Sequence, residues 1–531
     1  MTQFSFGAIA ARMGAHVHGA APAIQFGDHT TDWATFDKRT DALAAAFAQA
    51  GVDPGAKVAH LMRNKPAYLE TSWAAFKARL VHVNVNYRYT GEELLYILGN
   101  SDAEVIVYDE EFAETMVQLR GKLPAAKLFL QIGGTPPEFA GDYEAAASAD
   151  ISLNRNDHQS DDMLFIYTGG TTGYPKGVMW DQGDLWSLLG GGALLPGGDP
   201  CPDMDALMAQ VRMLQDNDLT RKVLVLPPLM HGTGYLMAIY ALALGGTIMM
   251  CTSPGYDCPE ALEMIETYKP TWTVIVGDAF ARPLLKQLDE QGGDITSLQI
   301  MISSGTMWSP EVKQGLLRHN PNIMLLDALG SSESLGMGLS ATTAENAGSP
   351  TKFEHDENTI VVDDDLKPIE PGDERIGRIA RGGLIPRGYY KDPEKSAATF
   401  LEIGGKRYTL AGDAARVEPD GTFTLLGRGN QCINTGGEKV FPEEVEETLK
   451  THSAVEDALV FGIPDEQWGN AVSAVVETSS DASPDDITAH VKSHLAAYKV
   501  PKRIVVVKSV PRAPNGKADY KTAREMFEAA G

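Results

Sequence analysis

The residues with the clearest chemical potential are the glycines and threonines of residues 167–177, which read YTGGTTGYPKG. The run follows an apolar segment at residues 163–167 that is typical of a buried strand. Glycine lets backbone amides approach an anion without a Cβ in the way, and successive amides in such turns form a concave nest for phosphate oxygens. Threonine hydroxyls add donors, and Lys176 adds a positive charge. The segment therefore predicts a loop that binds a polyphosphate, and its composition argues against a surface loop without a ligand.

Other nucleotide-binding and metal-binding patterns do not fit. A Walker loop needs a Gly-Lys pair followed by serine or threonine, whereas Lys176 follows proline. The GMG run at residues 336–338 is too short for a dinucleotide fingerprint. The cysteines are Cys201, Cys251, Cys258 and Cys432, and no pair has the close spacing of a zinc or redox site. The loop is therefore a phosphate-binding element of another type.

Residues 167–177 resemble the phosphate loop of the adenylate-forming enzymes, which include acyl-CoA synthetases, luciferases and the adenylation domains of peptide synthetases. Further stretches that resemble this family follow in the family's order. They are PLMHG at 228–232, SSGT at 303–306, LGSSE at 329–333, YTLAGD at 408–413, GRGNQCIN at 427–434, GGEKV at 436–440 and PRAPNGK at 511–517. The amino-acid sequences of several stretches are most similar to those of bacterial fatty-acyl or steroid side-chain acyl-CoA synthetases. Because the stretches are spread over most of the chain, their joint occurrence is much more specific than any one of them.

The resemblance implies a role for each of these stretches, with ATP, Mg²⁺ and coenzyme A as substrates and cofactors. ATP or AMP would be bound by Thr168, Gly169, Gly170, Thr171, Thr172, Lys176, Ser304, Gly305, Thr306, Leu329, Gly330, Ser331, Ser332, Asp413 and Arg428. Coenzyme A would contact Gly436, Gly437, Glu438 and Lys439, and Asn430 would be the hinge. The catalytic residues would be Lys517, Glu333 and His231.

The residue types suit these roles. Lys517 would place a cation against the α-phosphate, where negative charge develops as pyrophosphate leaves. A carboxylate accepts two hydrogen bonds from a cis diol, so Asp413 suits the ribose. Mg²⁺ on nucleotide phosphates takes oxygen ligands, so Glu333 is the expected metal ligand. The chain departs from the family with Gly169 in place of serine and Leu329 in place of an aromatic residue, which predicts weaker contacts to pyrophosphate and adenine.

The expected acyl pocket consists of His231, Gly232, Thr233, Gly277 and Gly336. Three of the five are glycine, which predicts a roomy pocket, and none is a lysine or arginine that would bind a second carboxylate. The resemblance then implies an ATP-dependent acyl-CoA synthetase that makes an acyl-adenylate and an acyl-CoA thioester from an apolar acid, whether medium- or long-chain, branched or a steroid side chain. The alternatives are an aryl-acid CoA ligase, an acyl-AMP ligase that does not use coenzyme A, a luciferase-like oxygenase and a non-enzymatic nucleotide-binding protein.

Short apolar runs alternate with amphipathic segments, which predicts layered α/β subdomains with largely parallel sheets. Strands are expected at 163–167, 223–226, 273–276, 299–302 and 323–326, and helices at 41–50, 259–268 and 310–318. The last hundred or so residues predict a small, mobile α+β domain, with helices from 442 and 484 and strands at 458–461, 472–476 and 504–507. We therefore expect a large N-terminal body at 1–427 and a mobile C-terminal domain at 428–531.

The bulk composition limits the partners. The chain has 531 residues, 43% of them hydrophobic, and a formal net charge of −26, which argues against binding nucleic acid. The most apolar stretch, residues 235–251, is broken by two glycines and predicts a buried helix, a turn and a buried strand rather than a membrane span. We expect no signal peptide and no integral membrane association. Sparse cysteine fits the cytoplasm, and the sequence leaves a homodimer open.

Overall fold

The computed structural model describes residues 4–168, 175–194, 197–306, 308–349, 351–428, 431, 433–435, 438–465, 469–480, 482–495, 497–513 and 516–530. Within these ranges the helices, α1 to α16 in chain order, are Phe6–His16, Trp33–Gln49, Pro66–Lys77, Gly91–Asn100, Ala113–Leu119, Tyr143–Ala147, Gln182–Leu188, Met204–Asp216, Gly232–Leu242, Cys258–Tyr268, Asp278–Gln291, Pro310–His319, Pro393–Thr399, Pro442–Lys450, Pro484–His494 and Tyr520–Ala529.

The strands of the same ranges, β1 to β27, are Pro22–Phe26, His29–Asp32, Lys57–Leu61, Val81–Asn84, Ala103–Asp109, Leu128–Ile132, Gly141–Asp142, Met163–Thr168, Lys176–Asp181, Lys222–Val225, Thr247–Met250, Trp272–Ile275, Ile300–Ser303, Met324–Ser331, Ser334–Thr342, Thr359–Val362, Ile376–Arg381, Gly388–Tyr389, Phe400–Ile403, Lys406–Thr409, Asp413–Val417, Phe423–Arg428, Ile433–Thr435, Glu438–Val440, Val455–Asp465, Gly469–Thr478 and Arg503–Val507.

Two large sheets and a smaller antiparallel one form the body. In the described residues, the first sheet has the strand order β15-β14-β13-β12-β10-β11-β1-β2, and the second has the order β18-β9-β8-β4-β3-β5-β6-β7. The inner strands of both sheets are parallel. The third sheet runs β19-β20-β17-β21-β22, with β16 beside β17. The predicted class, layered α/β with mostly parallel sheets, is confirmed.

The sequence places most elements of the body correctly but misses two of their ends. Helix α2 starts eight residues before the expected residue 41, at Trp33, because the Asp32 carboxylate caps it by accepting from the Thr35 amide at 2.8 Å. Strand β14 continues to Ser331 because β15 folds back and pairs with it antiparallel. The apolar stretch at 235–251 is a buried helix and a buried strand, as predicted. Among the described residues, no helix has the length and apolarity that a membrane span requires.

The C-terminal part of the chain forms a small α+β unit with its own core. Strands β25, β26 and β27 make one sheet, and α14 and α15 cover one of its faces. Val460, Val472, Ile487 and Ile504 lie in the core between them. Pro442 begins α14 and Pro484 begins α15, where a fixed φ and a missing N–H are tolerated. The α+β character of this unit agrees with the sequence, whereas the exact boundary at 427/428 stays a prediction.

Candidate active site

Neighbouring parallel strands of the first sheet end at one edge, and the predicted site residues follow their carboxyl ends. Strand β10 leads to His231, β12 leads to Gly277 and β13 leads to Ser304, while Leu329 lies near the end of β14. These four strands are adjacent in the order β14-β13-β12-β10. In open parallel sheets, ligands bind at the carboxyl ends of the strands. The fold therefore brings together residues that are about a hundred positions apart in the chain.

A cavity of about 280 Å³ opens at this edge, between the body and the C-terminal unit. Seven predicted residues line it, and they are Ser304, Gly305, Thr306, Leu329, Gly330, Asp413 and Lys517. Both parts of the chain contribute to the walls. The sequence did not predict other members of the lining, namely Asp278, Asp327, Phe353, Glu443, Glu446, Glu447, Lys450, Arg512 and Tyr520. Two of them had a sequence signal: Glu443 lies in the first turn of a predicted helix, and Arg512 lies in the PRAPNGK stretch at 511–517.

The loop that carries Lys517 is fixed from both sides. Arg512 holds it to β25 through a forked ion pair, with Nε and Nη2 at 2.5 and 2.6 Å from the Asp457 carboxylate oxygens. Gly516 has φ +76°, and a Cβ there would lie 2.8 Å from Ala279 Cβ at the start of α11. Only glycine adopts this backbone conformation without strain and allows so close an approach. Lys517 is consequently held against the body beside Gly305.

Asp413 lies in the wall of the same cavity, 6% exposed, at the first position of β21. Its backbone pairs with that of Arg428 at the end of β22, so two of the predicted nucleotide residues are direct neighbours across an antiparallel ladder. Phe353, a further residue of the wall, stacks on Phe423 with ring centroids 5.7 Å apart. The wall near Leu329 therefore has an aromatic residue that the motif comparison did not reveal.

Glu333 and Lys176 do not line this cavity but meet at a shared neighbour, Tyr389. The Tyr389 hydroxyl donates a hydrogen bond to Glu333 Oε1 at 3.0 Å. Lys176 Nζ lies 5.7 Å from the centre of the Tyr389 ring and forms an ion pair with Asp392. Burial and the Glu333 charge raise the pKa of Tyr389, so the phenol stays protonated and remains a donor. Thr168 pairs with Lys176 where β8 and β9 meet, and this places all three predicted residues together.

The Ser331–Ser332 turn is tied to the same region. The Trp180 indole N–H of β9 donates to the Ser332 carbonyl oxygen at 2.8 Å. The Ser331 hydroxyl is buried and has no hydrogen-bond partner among the described residues. Within those residues no cluster of three or more His, Cys, Asp or Glu side chains could hold a metal ion. Glu333 offers a single carboxylate, and one or two carboxylates are what Mg²⁺ that arrives on nucleotide phosphates takes from a protein.

His231 caps the start of α9 and is neutral. Burial lowers its pKa to about 4, and the positive charges of Lys517 and Arg88 act in the same direction. At neutral pH the imidazole can therefore separate two anionic substrates without attracting either as a cation. Gly232 and Thr233 follow in the first turn of α9.

The remaining acyl candidates lie on other elements. Gly277 precedes α11 with φ +52°, and its amide donates to Ser303 Oγ at 2.9 Å. Gly336 lies in β15 with φ +69°, and a Cβ there would lie 3.6 Å from Arg381 Nη2. The Arg381 guanidinium is itself paired with Asp356 and bonded to Thr359 Oγ1 at 2.9 Å. A basic group therefore does lie beside the predicted acyl pocket, although an internal carboxylate neutralises it.

A second cavity, of about 260 Å³, was not predicted from the sequence. Its lining includes the cations Arg63, Lys65 and Arg88, the carboxylate Asp257, and Pro228 and Cys251. Arg63 and Lys65 are paired with Glu111 and Asp109, whereas no carboxylate of the described residues lies within ion-pair distance of Arg88. Pro228 belongs to the segment that leads to His231, so this cavity borders the predicted acyl site.

Several predicted residues cannot be placed. Gly169, Gly170, Thr171, Thr172, Asn430, Gly436 and Gly437 lie outside the described residues. The backbones of Glu438 and Lys439 form β24, opposite β23. Their roles, like those of the other site residues, stay predictions.

The fold and the cavity define a nucleotide-binding α/β enzyme whose C-terminal unit completes the site. The chain matches the family model of the AMP-binding enzyme over residues 12–390 and that of the AMP-binding enzyme C-terminal domain over residues 444–517. It therefore belongs to the AMP-binding, adenylate-forming enzyme family, and it is an AMP-forming acid–thiol ligase. CoA ligases of this family use ATP, Mg²⁺ and coenzyme A, as the sequence predicts.

Individual relatives agree with this assignment. The chain is 39% identical over 510 residues to 3-oxocholest-4-en-26-oate–CoA ligase of Rhodococcus rhodochrous, covering 93% of this chain and 91% of the relative. It is 38% identical to the medium-chain acyl-CoA ligase Mig of Mycobacterium avium, covering 87% and 85%. The structure of the anthranilate CoA ligase AuaEII with anthranoyl-AMP shares the fold, with a TM-score of 0.83, 22% identity and coverage of 100% and 98%.

Proposed function

We propose that this chain converts an apolar carboxylic acid into an acyl-adenylate in the 280 Å³ cavity and then into an acyl-CoA thioester. The observation that supports the site best is the meeting of Lys517, from the C-terminal unit, with Ser304–Thr306 and Asp413 of the body in one cavity. The cation of Lys517 suits the phosphate of an adenosine monophosphate group, and the buried carboxylate of Asp413 suits its ribose. The arrangement corresponds to the first half of the reaction.

In the first step, a carboxylate oxygen of the acid attacks the α-phosphorus of ATP, and the bond to the bridging oxygen breaks to release pyrophosphate. Lys517 stabilises the negative charge on the non-bridging α-phosphate oxygens. Lys176 and the amides of the 167–177 loop hold the β- and γ-phosphates, and Glu333 binds the Mg²⁺ that accompanies them. Neutral His231 separates the acid from the nucleotide, while Asp413 accepts hydrogen bonds from the ribose.

In the second step, a thiolate attacks the acyl carbon and AMP leaves. Lys517 lies in the cavity in which the adenylate would form, and we propose that the C-terminal domain, residues 428–531, rotates about Asn430 for the thiol step, as the family resemblance implies. That rotation would replace Lys517 with residues 436–440. Domain movements of this type often limit turnover.

We further propose that coenzyme A enters through the second cavity. Arg88 suits its phosphates, because no carboxylate of the described residues lies within ion-pair distance of it, whereas Arg63 and Lys65 are already paired with Glu111 and Asp109. The net charge of −26 would otherwise repel a polyanion, so a local cluster of cations is needed for binding. The cavity borders the segment that leads to His231, where the acyl carbon would lie.

The acid itself is proposed to be a medium- or long-chain fatty acid or a steroid side-chain acid. The predicted pocket residues are small or uncharged, and Arg381 beside Gly336 is already neutralised by Asp356. Relatives from Rhodococcus rhodochrous and Mycobacterium avium are named as ligases for a steroid acid and for medium-chain acids. An apolar acid with a single carboxylate is therefore the substrate class that fits best.

An acid panel tests this function. The purified chain is incubated with ATP, Mg²⁺ and fatty, steroid side-chain or aryl acids, with and without coenzyme A, and AMP is measured. AMP release that depends on both a fatty or steroid acid and coenzyme A is expected. Formation of ADP, turnover of aryl acids alone, or adenylate formation that coenzyme A never consumes would contradict the proposal.

The role of Lys517 is tested by separating the two half-reactions. Lys517→Ala should lower single-turnover adenylate formation about 10²–10³-fold, because one charge on the transition state is lost. Thioester formation from preformed acyl-adenylate should persist. Lys521→Ala, an exposed lysine of α16, is the matched control and should change neither step. Equal loss of both half-reactions in Lys517→Ala would contradict the assignment of Lys517 to adenylate formation.

We also propose a cytoplasmic enzyme with small-molecule partners only. Light scattering during size-exclusion chromatography distinguishes a monomer from a homodimer, because the chain mass is 57.2 kDa.

A further inference from the structure

Asn84, the last residue of β4, is buried at 7% exposure and uses both ends of its side-chain amide. Its Nδ2 donates to the Tyr167 carbonyl oxygen at 2.9 Å and to the Met230 carbonyl oxygen at 2.7 Å. Its Oδ1 accepts from the Tyr167 amide at 2.7 Å. Both donor hydrogens and one acceptor site are therefore satisfied within the protein.

The two partners of Asn84 belong to different parts of the predicted site. Tyr167 is the next-to-last residue of β8 and leads directly into the phosphate loop. Met230 immediately precedes His231 at the start of α9. The ladder between β4 and β8 pairs Val83 with Phe165. Beyond this pair, the side-chain amide of Asn84 makes the hydrogen bonds to the backbone of Tyr167. One side chain thus ties the phosphate loop to the His231 segment.

The surroundings of Asn84 show what its amide contributes. Val83, Val85, Phe165, Tyr167 and Met230 form a buried apolar cluster around it. Burying an amide in such a cluster costs free energy unless its hydrogen bonds are made. A valine here would fill similar space but would leave the polar groups of Tyr167 and Met230 unpaired. The fold therefore holds a polar cross-link at the point where its two site segments come together.

We propose that Asn84 is a positioning residue that aligns the phosphate loop with His231, so that the attacking carboxylate and the leaving pyrophosphate are in line. This inference rests on the proposed function, because it assigns the loop to pyrophosphate and His231 to the acid. Adenylate formation needs both groups at a fixed separation. Thiol attack on the finished adenylate needs no pyrophosphate contact, so it should be much less sensitive to Asn84.

Asn64 offers a matched control on the same segment. Its Nδ2 donates to the Pro227 carbonyl oxygen at 3.0 Å, and its Oδ1 accepts from the Leu229 amide at 2.7 Å. It therefore fixes the approach to His231, but within the part of the chain that the structure describes it makes no hydrogen bond to β8. Replacing Asn64 shows how a disturbed His231 segment alone affects the reaction. Replacing Asn84 also removes the link between that segment and the phosphate loop.

The experiment measures both half-reactions in single turnover for the wild type, Asn84→Ala, Asn84→Ser and Asn64→Ala, with thermal unfolding as a check of folding. Asn84→Ala should lower the rate of adenylate formation on the order of 10²-fold, because small misplacements of reacting groups have effects of this size. Thioester formation from preformed adenylate should change only a few-fold. Asn64→Ala should change the ratio of the two rates much less than Asn84→Ala does, with thioester formation measured at saturating coenzyme A because Asn64 lines the second cavity. Asn84→Ser should follow Asn84→Ala with a smaller loss.

A pH profile separates alignment from simple loss of packing. In Asn84→Asp a carboxylate would face the Tyr167 and Met230 carbonyl oxygens, and burial would raise its pKa. Protonation restores one donor, so the adenylation rate of Asn84→Asp relative to wild type should rise as the pH falls. The corresponding ratio for Asn84→Ala should stay flat. A flat ratio for both variants would overturn the proposal.

Other outcomes are equally decisive. Equal loss of both half-reactions in Asn84→Ala, or the same selective loss in Asn64→Ala, would show that Asn84 has only a structural role. If the wild type turned over no acid, the proposed function would fail while the link could still be measured through binding of Mg·ATP by calorimetry. Asn84→Ala should then bind Mg·ATP more weakly than Asn64→Ala, and equal affinities would overturn the inference.

Discussion

Tyr389 contacts two charged residues of the predicted site with different parts of its side chain. Its hydroxyl bonds to Glu333 Oε1, and its ring lies beside Lys176 Nζ. A carboxylate that is to bind Mg²⁺ on ATP has to point in a fixed direction before the metal arrives, because an ordered ligand loses less conformational entropy on binding. The hydroxyl is the only part of Tyr389 that supplies this orientation, so it can be removed without disturbing the ring.

Tyr389→Phe should raise the KM for Mg·ATP roughly five- to thirtyfold, which corresponds to losing one charged hydrogen bond of about 1–2 kcal/mol. The rate of thioester formation from preformed adenylate should stay near wild type. Tyr390→Phe is the control, because the Tyr390 hydroxyl donates to Asp102 Oδ2 at 2.8 Å and not to a predicted site residue. An unchanged KM in Tyr389→Phe, or the same increase in Tyr390→Phe, would show that the hydroxyl does not orient Glu333.

At the scale of elements, β3, β4, α3 and α9 meet around two buried histidines. His60 of β3 and His82 of β4 both face Ser72 of α3, with ring nitrogens 3.2 and 3.4 Å from its Oγ. The His82 ring stacks on Tyr235 of α9 with centroids 4.1 Å apart. Burial lowers the pKa of His60 to about 3 and lowers that of His82 well below its ordinary value. Packing that supports the start of α9 therefore depends on neutral imidazoles.

These depressed pKa values predict that acid destabilises the body. Unfolded histidine has a pKa of about 6.5, so the unfolded chain binds protons that the folded chain excludes as the pH falls below that value. Stability should fall progressively from about pH 6.5 to about pH 3, where folded His60 itself takes up a proton, by up to about 1.4 kcal/mol per pH unit for each histidine. Above pH 7 both states are deprotonated, and the effect should vanish.

The test compares the unfolding midpoint in urea at pH 7 and pH 5 for three proteins. His82→Phe keeps an aromatic ring on Tyr235 but removes one titrating group, so its midpoint should fall less on acidification than that of the wild type. His29→Gln changes an exposed histidine of β2 and should behave as the wild type. If His82→Phe loses as much stability between the two pH values as the wild type, buried histidine protonation is not the cause.

The elements also show what the sequence could and could not provide. Motifs singled out Ser304, Asp413 and Lys517 because each has a recognisable local pattern, and the structure brings the three together in the wall of one cavity. The partners that orient site residues have no such pattern. Tyr389 is 56 positions from Glu333, and Asn84 is 83 positions from Tyr167. Such contacts arise only when strands from separate parts of the chain become neighbours, and a single sequence carries no local trace of that.

On the scale of the whole molecule, the contact between body and C-terminal unit includes a group of buried charges. Lys450 of α14 lies 3.4 Å from Asp278 of α11, and both side chains are less than a tenth exposed. Ser309 Oγ donates to Glu447 Oε2 of α14 at 3.1 Å. Burial alone would raise the pKa of Asp278, but Lys450 and Arg282 hold it below its ordinary value. Both members of the pair therefore stay charged at neutral pH.

A buried ion pair suits an interface that, on the proposed mechanism, separates in every catalytic cycle. Its attraction is largely offset by the cost of removing both charges from water, so the net stability of the docked state is small. When the domains part, water replaces each partner and neither charge is left buried. An apolar contact of the same area would hold the C-terminal unit more firmly and slow the change to the thiol step. The charges therefore fix the orientation of docking without making it permanent.

Lys450→Met should weaken this docked state, because it keeps the aliphatic stem but removes a cation from the buried Asp278 carboxylate. Asp278 then keeps Arg282, at 3.0 Å, and the amide and hydroxyl of Ser309, while Glu447 loses its ion pair to Lys450. Breaking one side of a buried pair costs several kcal/mol when no other partner exists, and Arg282 reduces that cost here. We expect adenylate formation to fall at least about tenfold, while thioester formation from preformed adenylate is unchanged or faster.

Lys286→Met removes a second pair across the same interface, to Glu456 at 3.8 Å, but Lys286 is 60% exposed. Exposed pairs contribute little, so this control should leave both rates near wild type. Equal effects of the two substitutions, or a parallel fall of both half-reactions in Lys450→Met, would show that burial of the pair does not hold the adenylating orientation.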